Sequence, residues 1–300
     1  MSFTGIVKSE ISKLETIEAE NISELSAIIK NIGIITDYIK ITTENASVAR
    51  RIFKLLKETF FISPKIIVRK GYNFNKNYIY ILEIHHSVKK IVDELEINCN
   101  IPKKYMYSDD SLTRAYLRGV FLSCGSINDP KKSRYHLEFI VDNEEYAEFI
   151  SNLLNHYHFN SKVIRRETKY MIYMKEAEKI GDFLRYMQAI QAVFYYEDIR
   201  IYRDHKNMTN RLNNCEQANV DKIIETANKQ IKDIEKIKEN DLLDVLDDKT
   251  KETITYRLKY PETSLLELSE IISLETGNKI TKSGLYHRFN KIKELAEKIK

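Results

Sequence analysis

The stretch Arg114–Asn128, RAYLRGVFLSCGSIN, decides the fold. Ala115, Gly119 and Ser123 recur at every fourth residue. That spacing puts three small side chains on one helix face and leaves room for a second backbone against it. Gly125 follows, where the pattern predicts a helix end in a positive-φ conformation that glycine tolerates. Ser126 to Pro130 is turn chemistry, and Tyr135 to Val141 reads as a strand. A helix with such a face is built to pack against a second copy of itself.

Upstream, Leu25–Gly33 (LSAIIKNIG) is another short apolar helix ending in glycine, followed by a turn and a strand from Tyr38 to Thr43. The next helix carries Ala49, Ile52, Leu55 and Leu56, matched by Ala147, Ile150, Leu153 and Leu154 at a constant offset of 98. A basic strand comes next in both halves, KIIVRK from Lys65 and KVIRRE from Lys162, then a tyrosine-bearing strand and a further helix. The chain therefore contains an internal repeat of helix, strand, helix, strand, strand and helix.

Three hundred residues allow two domains, and 43% apolar content suffices for a sizeable core. A net charge of +4 permits a nucleic-acid partner without requiring one. Cys99, Cys124 and Cys215 are an odd number at wide spacing, which fits neither a disulfide framework nor a zinc site and predicts a reduced, cytoplasmic compartment. No apolar run approaches the roughly 18–20 residues that span a bilayer, and Met1 to Glu15 lacks a signal-peptide core.

In chain order, Ser2 to Glu20 reads as one N-terminal helix. In the basic strands, Lys65, Ile67 and Arg69 share a face, as do Lys162, Ile164 and Arg166. Such paired strands suit an extended anion; an ordinary solvated sheet face is the plainer alternative. His205 to Lys238 lacks Gly and Pro and reads as a long amphipathic linker helix with apolar positions from Leu212 to Ile237. Asn207, Asn210, Arg211, Asn214 and Asn219 crowd its start, side chains suited either to phosphates and bases or to capping and inter-domain hydrogen bonds.

Asp241 to Lys300 reads as three helices, Asp247–Tyr260, Leu265–Ser273 and Ser283–Lys298, with Thr263 or Ser264 capping the second and Ser283 the third. The last two fit a helix-turn-helix, against the alternative of a generic three-helix bundle. In that geometry Lys282, Ser283, Tyr286, His287 and Asn290 reach base edges and phosphates, and Arg288 pairs with guanine or a phosphate.

The chain resembles the WhiA family of bacterial regulators. RAYLRGVFLSCGSIND with YHLEF carries the resemblance, together with NRLNNCEQANVDKIIETANKQI, SLLELSEII, ITKSGLYHRFNKI and SFTGIVKSE near the start. It implies an α+β fold: a pseudo-twofold domain of the LAGLIDADG homing-endonuclease type joined to an all-α C-terminal helix-turn-helix. The corresponding division is residues 1–204, with repeats near 21–97 and 111–195, a linker helix over 205–240 and the DNA-binding unit over 241–300. The resemblance also implies sequence-specific binding of double-stranded DNA at promoters and control of sporulation, division or chromosome-related genes. A nucleoid location and a further protein partner, RNA polymerase or a second regulator, go with that reading. An architectural DNA binder and a protein-interaction scaffold are the alternatives.

Nucleases of that fold hold divalent metal with a carboxylate placed just before the final glycine of each motif helix. Here those positions are Ile32 and Cys124. No catalytic residue, metal or cofactor is expected. His85-His86 and His156-Tyr157-His158 have no ligand at matching spacing. The residues expected to meet DNA are Lys282, Ser283, Tyr286, His287, Arg288 and Asn290, with Lys65, Arg69, Lys162, Arg165 and Arg166 in the N-terminal domain.

Overall fold

The computed structural model describes residues 2–71 and 78–299. It divides into two compact units, Met1–Arg203 and Asp204–Lys300.

The first unit opens with α1 (Phe3–Ile11) and α2 (Glu18–Ile32). The single helix expected over Ser2–Glu20 is thus two, and the reason lies in a distant side chain. Arg51 donates to the Leu14 carbonyl and, at 2.9 Å, to the Thr16 hydroxyl, taking up polar groups of the intervening segment. Ser2 caps α1 by accepting from Gly5 N–H at 3.1 Å.

The first repeat continues with β1 (Gly33–Ile35), β2 (Ile39–Thr43), α3 (Ala46–Phe60), β3 (Lys65–Lys70), β4 (Tyr78–Ile84) and α4 (Val88–Glu94). The second runs through α5 (Asp110–Cys124), β5 (Gly125–Ile127), β6 (Leu137–Val141), α6 (Glu144–His156), β7 (Lys162–Arg166), β8 (Lys169–Met174) and α7 (Ala177–Tyr186). Each half forms an antiparallel sheet of the same order, β1-β2-β4-β3 and β5-β6-β8-β7. The short strands β1 and β5 are additions to the expected repeat. Each spans three residues, too few for an alternating pattern to declare itself.

The small face of α5 does what its spacing predicts. A Cβ at Gly119 would run into the Glu24 carbonyl oxygen of α2 and lie 2.8 Å from the Ala27 Cβ, so the two motif helices meet backbone to backbone there. Gly125 differs from expectation. Its φ is −81°, ordinary extended backbone; glycine is required because a Cβ would sit 2.8 Å from the Phe121 Cα. The core is continuous across both repeats and includes Ile52, Leu55 and Leu56 with their counterparts Ile150 and Leu154.

Inside this core lies a charged cluster. Glu24 of α2 accepts from Arg51 of α3 at 2.8 and 2.9 Å and from Arg118 of α5 at 2.7 Å, and all three side chains are buried. Arg118 therefore ties the second repeat to the first.

The helix α8 runs from Ile190 to Glu239. Its first turn is capped from α1: Glu10 accepts from Gln191 N–H at 2.7 Å and Ala192 N–H at 3.0 Å. Every residue from 204 to 222 is exposed. Towards its end α8 supplies Ile234 and Ile237 to the core of the second unit, so these last turns belong to that unit's packing.

The second unit adds α9 (Asp248–Lys259), α10 (Leu265–Thr276) and α11 (Lys282–Lys298). Leu268, Ile272, Leu285, Phe289 and Ile292 fill its centre. Ser264 and Glu267 form a reciprocal cap on α10. The cap of α11 is Thr281, accepting from Gly284 N–H at 3.1 Å, in place of the expected Ser283. The helix α10 runs a turn beyond Ser273 and ends at Gly277, whose φ of +71° suits glycine.

Candidate nucleic-acid interface

The connection between α10 and α11 is closed by Ser273, whose hydroxyl accepts from Ile280 N–H at 2.9 Å and donates to the Ser269 carbonyl at 2.7 Å. Buried Arg257 of α9 fastens the other loop, donating at 2.7 Å to the Thr263 carbonyl, with its guanidinium 5.4 Å from the Phe289 ring centre. Both bends are thereby fixed, and α11 is presented on a rigid support.

On α11 the buried positions Leu285, Phe289, Ile292 and Ala296 define the inner face. Lys282, Ser283, Tyr286 and His287 project outward, Tyr286 with 53% of its surface exposed. Asn290 is half-buried beside them. Arg288 departs from this group. Its Nη1 donates to the Lys249 carbonyl at 2.9 Å and the Thr253 hydroxyl at 3.1 Å, and lies 3.7 Å from Glu252 Oε2. A guanidinium held by three groups of α9 is a brace between helices, and the structure turns it away from the face expected to read bases.

Strand register settles which basic residues of the first unit share a face. Lys65 stands opposite Glu83, and Arg69 opposite Ile79. Their face is opposite to the one bearing buried Ile41, Leu82 and Ile84. Lys40, also opposite Glu83, joins them and was not singled out from the sequence. In the second sheet Lys162 and Arg166 occupy the equivalent outer face, with Lys169 directly opposite Arg166. Arg165 lies on the other face, opposite Tyr170, with its Nε donating to the Glu167 carbonyl at 3.3 Å. The structure thus brings Lys162 and Arg166 together and leaves Arg165 apart. Two carboxylates moderate these surfaces: Glu83 approaches Lys65 to 4.0 Å, and Glu138 pairs with His136 at 3.0 Å.

Ile32 and Cys124 both line a cavity of about 320 Å³ at the C-terminal ends of the motif helices, with Lys30, Asn31, Tyr146 and Lys169. Its single carboxylate among the described residues, Asp142, is bound to Lys169 at 3.0 Å. Burial pushes the Cys124 thiol up to about 11, so it is a neutral thiol at physiological pH. Burial also lowers Lys30, whose amine donates to the Cys99 carbonyl. Ile32 and Cys124 offer no carboxylate oxygen to a hard cation such as Mg²⁺, and the carboxylate that does line the cavity, Asp142, is held by Lys169. Among the described residues, no group of three or more His, Cys, Asp or Glu side chains is placed to hold a metal ion. Nor is any helix there long and apolar enough to cross a membrane.

On the long helix, the amides of Asn207, Asn210, Asn214 and Asn219 are exposed. No capping bond at these positions accounts for them among the described residues, whereas neighbouring Thr209 bonds back to the His205 carbonyl at 3.0 Å.

Fold and surfaces together define a class: a LAGLIDADG-type α+β scaffold of two repeats with a C-terminal helix-turn-helix region. Three family models match along the chain: the WhiA N-terminal LAGLIDADG-like domain over residues 18–98, the WhiA LAGLIDADG-like domain over 113–206 and the WhiA C-terminal HTH domain over 209–296. The "Probable cell division protein WhiA" of Oceanobacillus iheyensis is 41% identical in an alignment covering 100% of this chain and 98% of that protein. The protein of the same description from Staphylococcus haemolyticus is 42% identical, with the same coverage of 100% and 98%. Full-length DUF199/WhiA from Thermatoga maritima superposes with a TM-score of 0.60 at 26% identity, covering 100% of this chain and 99% of that one. The chain belongs to the WhiA family.

Proposed function

We propose that this protein is a sequence-specific binder of double-stranded DNA that regulates transcription and does not cut its target. The observation that carries this reading is the division of labour on α11: Lys282, Ser283, Tyr286 and His287 stand free on the outer face while Arg288 is engaged by α9. Such a helix, entering the major groove by its N-terminal turns, offers donors and acceptors to base edges. Lys65, Arg69, Lys162 and Arg166 on the outer sheet faces add phosphate contacts, which position without specifying. Arg165 is assigned no part in that surface.

The absence of cleavage is proposed from Ile32 and Cys124, which stand where paired metal-binding carboxylates would be required. The relatives' description as probable cell division proteins supports division genes as targets, with sporulation and chromosome-related genes as wider candidates. A cytoplasmic, nucleoid-associated location and an interaction with RNA polymerase or a second regulator complete the proposal. The test is selection of bound sequences from random duplexes in Mg²⁺. A recovered motif that Lys282→Ala and His287→Ala blur, with intact ends, is the expected result. Binding without preference, or ends cut at one site, speaks against it.

A further inference from the structure

The first unit carries a cleft of about 980 Å³ that the DNA-binding reading does not use, bounded by α1, the start of α3, strands β2 and β4, and the end of α5. Its volume is at the upper end of the range typical of small-molecule pockets. Two cations line it, Lys8 of α1 and Arg50 of α3. Ser9 and Ser47 join their hydroxyls across it at 3.0 Å, and Arg50 Nη2 donates to Ser47 at 3.3 Å. Tyr78 and Tyr80 form another side. Thr43 of this cleft pairs with Tyr80 across β2 and β4, on the sheet face opposite to Lys65 and Arg69. Thr42 and Ile79, which also line the cleft, lie on the other face, Ile79 directly opposite Arg69, so the cleft adjoins the cationic surface assigned to duplex DNA.

Lys8 is the unexplained group. Its ammonium lies 5.7 Å from the Phe121 ring centre. Among the described residues no hydrogen bond or carboxylate satisfies it, although Ser9 and Glu10 beside it are both engaged. Its side chain is half-buried, and partial desolvation without a counter-ion brings the amine down to about 8, partly offset by the nearby Cys124 thiol. An anion entering the cleft would repair that deficit. The first turns of α1 and α3 also border the cleft and add favourable helix-terminal charge, with the Gly5, Ser47 and Val48 N–H groups already taken by Ser2 and Asn45. Glu44 is the cleft's carboxylate among the described residues, and it disfavours a bare anion while offering an acceptor to sugar hydroxyls.

We infer that this cleft binds a small ribonucleotide, its phosphates on Lys8 and Arg50, its ribose hydroxyls towards Glu44 and its base against Tyr78 and Tyr80. Phosphate explains the cations and hydroxyls, and the tyrosines give a planar ring a stacking surface. A bare phosphate would leave Glu44 and the tyrosines unused. The backbone of duplex DNA, the other source of phosphate, presents no free ring.

The test is calorimetric titration of the full-length protein with ADP, adenosine and inorganic phosphate. ADP is expected to bind more tightly than either fragment. Lys8→Met and Arg50→Gln are each expected to weaken it about tenfold or more, the loss of one charge-assisted contact. Tyr78→Ala should weaken ADP while leaving phosphate unchanged. Circular dichroism of each variant separates loss of fold from loss of binding, and Lys8→Arg should retain measurable affinity. The inference is overturned if millimolar ADP gives no heat, if folded Lys8→Met and Arg50→Gln bind as the parent does, or if phosphate alone equals ADP. Displacement of ADP by a short DNA duplex competing for Arg50 would equally overturn it, assigning the cleft to DNA backbone instead.

Discussion

Arg288 of α11 donates to the Lys249 carbonyl of α9 at 2.9 Å, so the most strongly basic side chain in the first turns of α11 is committed within the protein. Arg288→Ala would leave that carbonyl and the Thr253 hydroxyl without their donor. The expected outcome is a loss of about 1–3 kcal/mol in the stability of the second unit. DNA affinity should fall to a similar degree on every sequence, with the preferred motif unchanged. Thermal denaturation and sequence selection on the same variant check this, and a changed motif at constant stability would return Arg288 to the base-reading set.

Tyr286 and His287 should behave in the opposite way. Both are exposed and lie outside the core formed by Leu285 and Phe289. Their replacement by alanine is expected to change stability by less than about 0.5 kcal/mol. Any base pair either residue contacts should lose about 1–3 kcal/mol of discrimination. Competition binding with single-base variants of the selected site measures that loss.

The sheet faces make a sharper prediction because register separates neighbours. Lys162→Ala or Arg166→Ala should each weaken binding and reduce the slope of log affinity against log salt by about 1, as expected for one lost phosphate contact. Arg165→Ala, on the opposite face, should change neither. Equal effects at Arg165 and Arg166 would show that the outer face is not the contact surface.

Gly119→Ala tests the joining of the repeats. The added Cβ meets the Glu24 carbonyl and lies 2.8 Å from the Ala27 Cβ, and neither can retreat without moving α2. Destabilisation of about 1–3 kcal/mol is expected from such overpacking. Glu24→Ala should cost more, about 3–5 kcal/mol, by leaving Arg51 and Arg118 buried without their carboxylate. Denaturant titration of both variants decides the order.

Lys8 gives the stability a pH signature. Its folded value, about 8, lies below its usual 10.5, so between these pH values the unfolded chain holds a proton that the folded chain has released. Stability contributed through Lys8 should therefore rise as pH increases from about 8. Cys124 acts in reverse: its folded value of about 11 exceeds 9.0, so above pH 9.0 the unfolded chain loses a proton that the folded chain keeps. The rise through Lys8 is therefore clearest between about pH 8 and 9.0, before the opposing loss through Cys124 is fully developed. Lys8→Met should abolish the rise there and be more stable than the parent at neutral pH, as chemical denaturation across pH will report.

The sequence makes the architecture legible through two signals of different range. The Ala115–Gly119–Ser123 spacing identifies a helix that admits another backbone, and the offset between Ile52 and Ile150 reveals the repeat. What escapes it depends on long-range partners. The break between α1 and α2 is stabilised by Arg51 from α3, and the side of the sheet taken by Arg165 is set by pairing with β8. The exposed face of α11 follows from helical periodicity. The withdrawal of Arg288 does not, because Lys249 and Thr253 approach it only after α9 has packed. Lys8 in SFTGIVKSE looks like any surface lysine until the cleft around it has formed.

We propose that the exposed face of α11 reads DNA while Ile32 and Cys124 leave the scaffold unable to cut. The most direct test is capture of sheared DNA, from the organism that encodes the protein, at near-physiological salt with Mg²⁺, followed by sequencing of the bound fragments and their ends. Enrichment of a few upstream regions sharing a short motif, with randomly distributed ends, is the expected result, and the Lys282→Ala, His287→Ala double variant should lose that enrichment. Uniform recovery across the genome, or fragment ends clustered at one sequence, would contradict it.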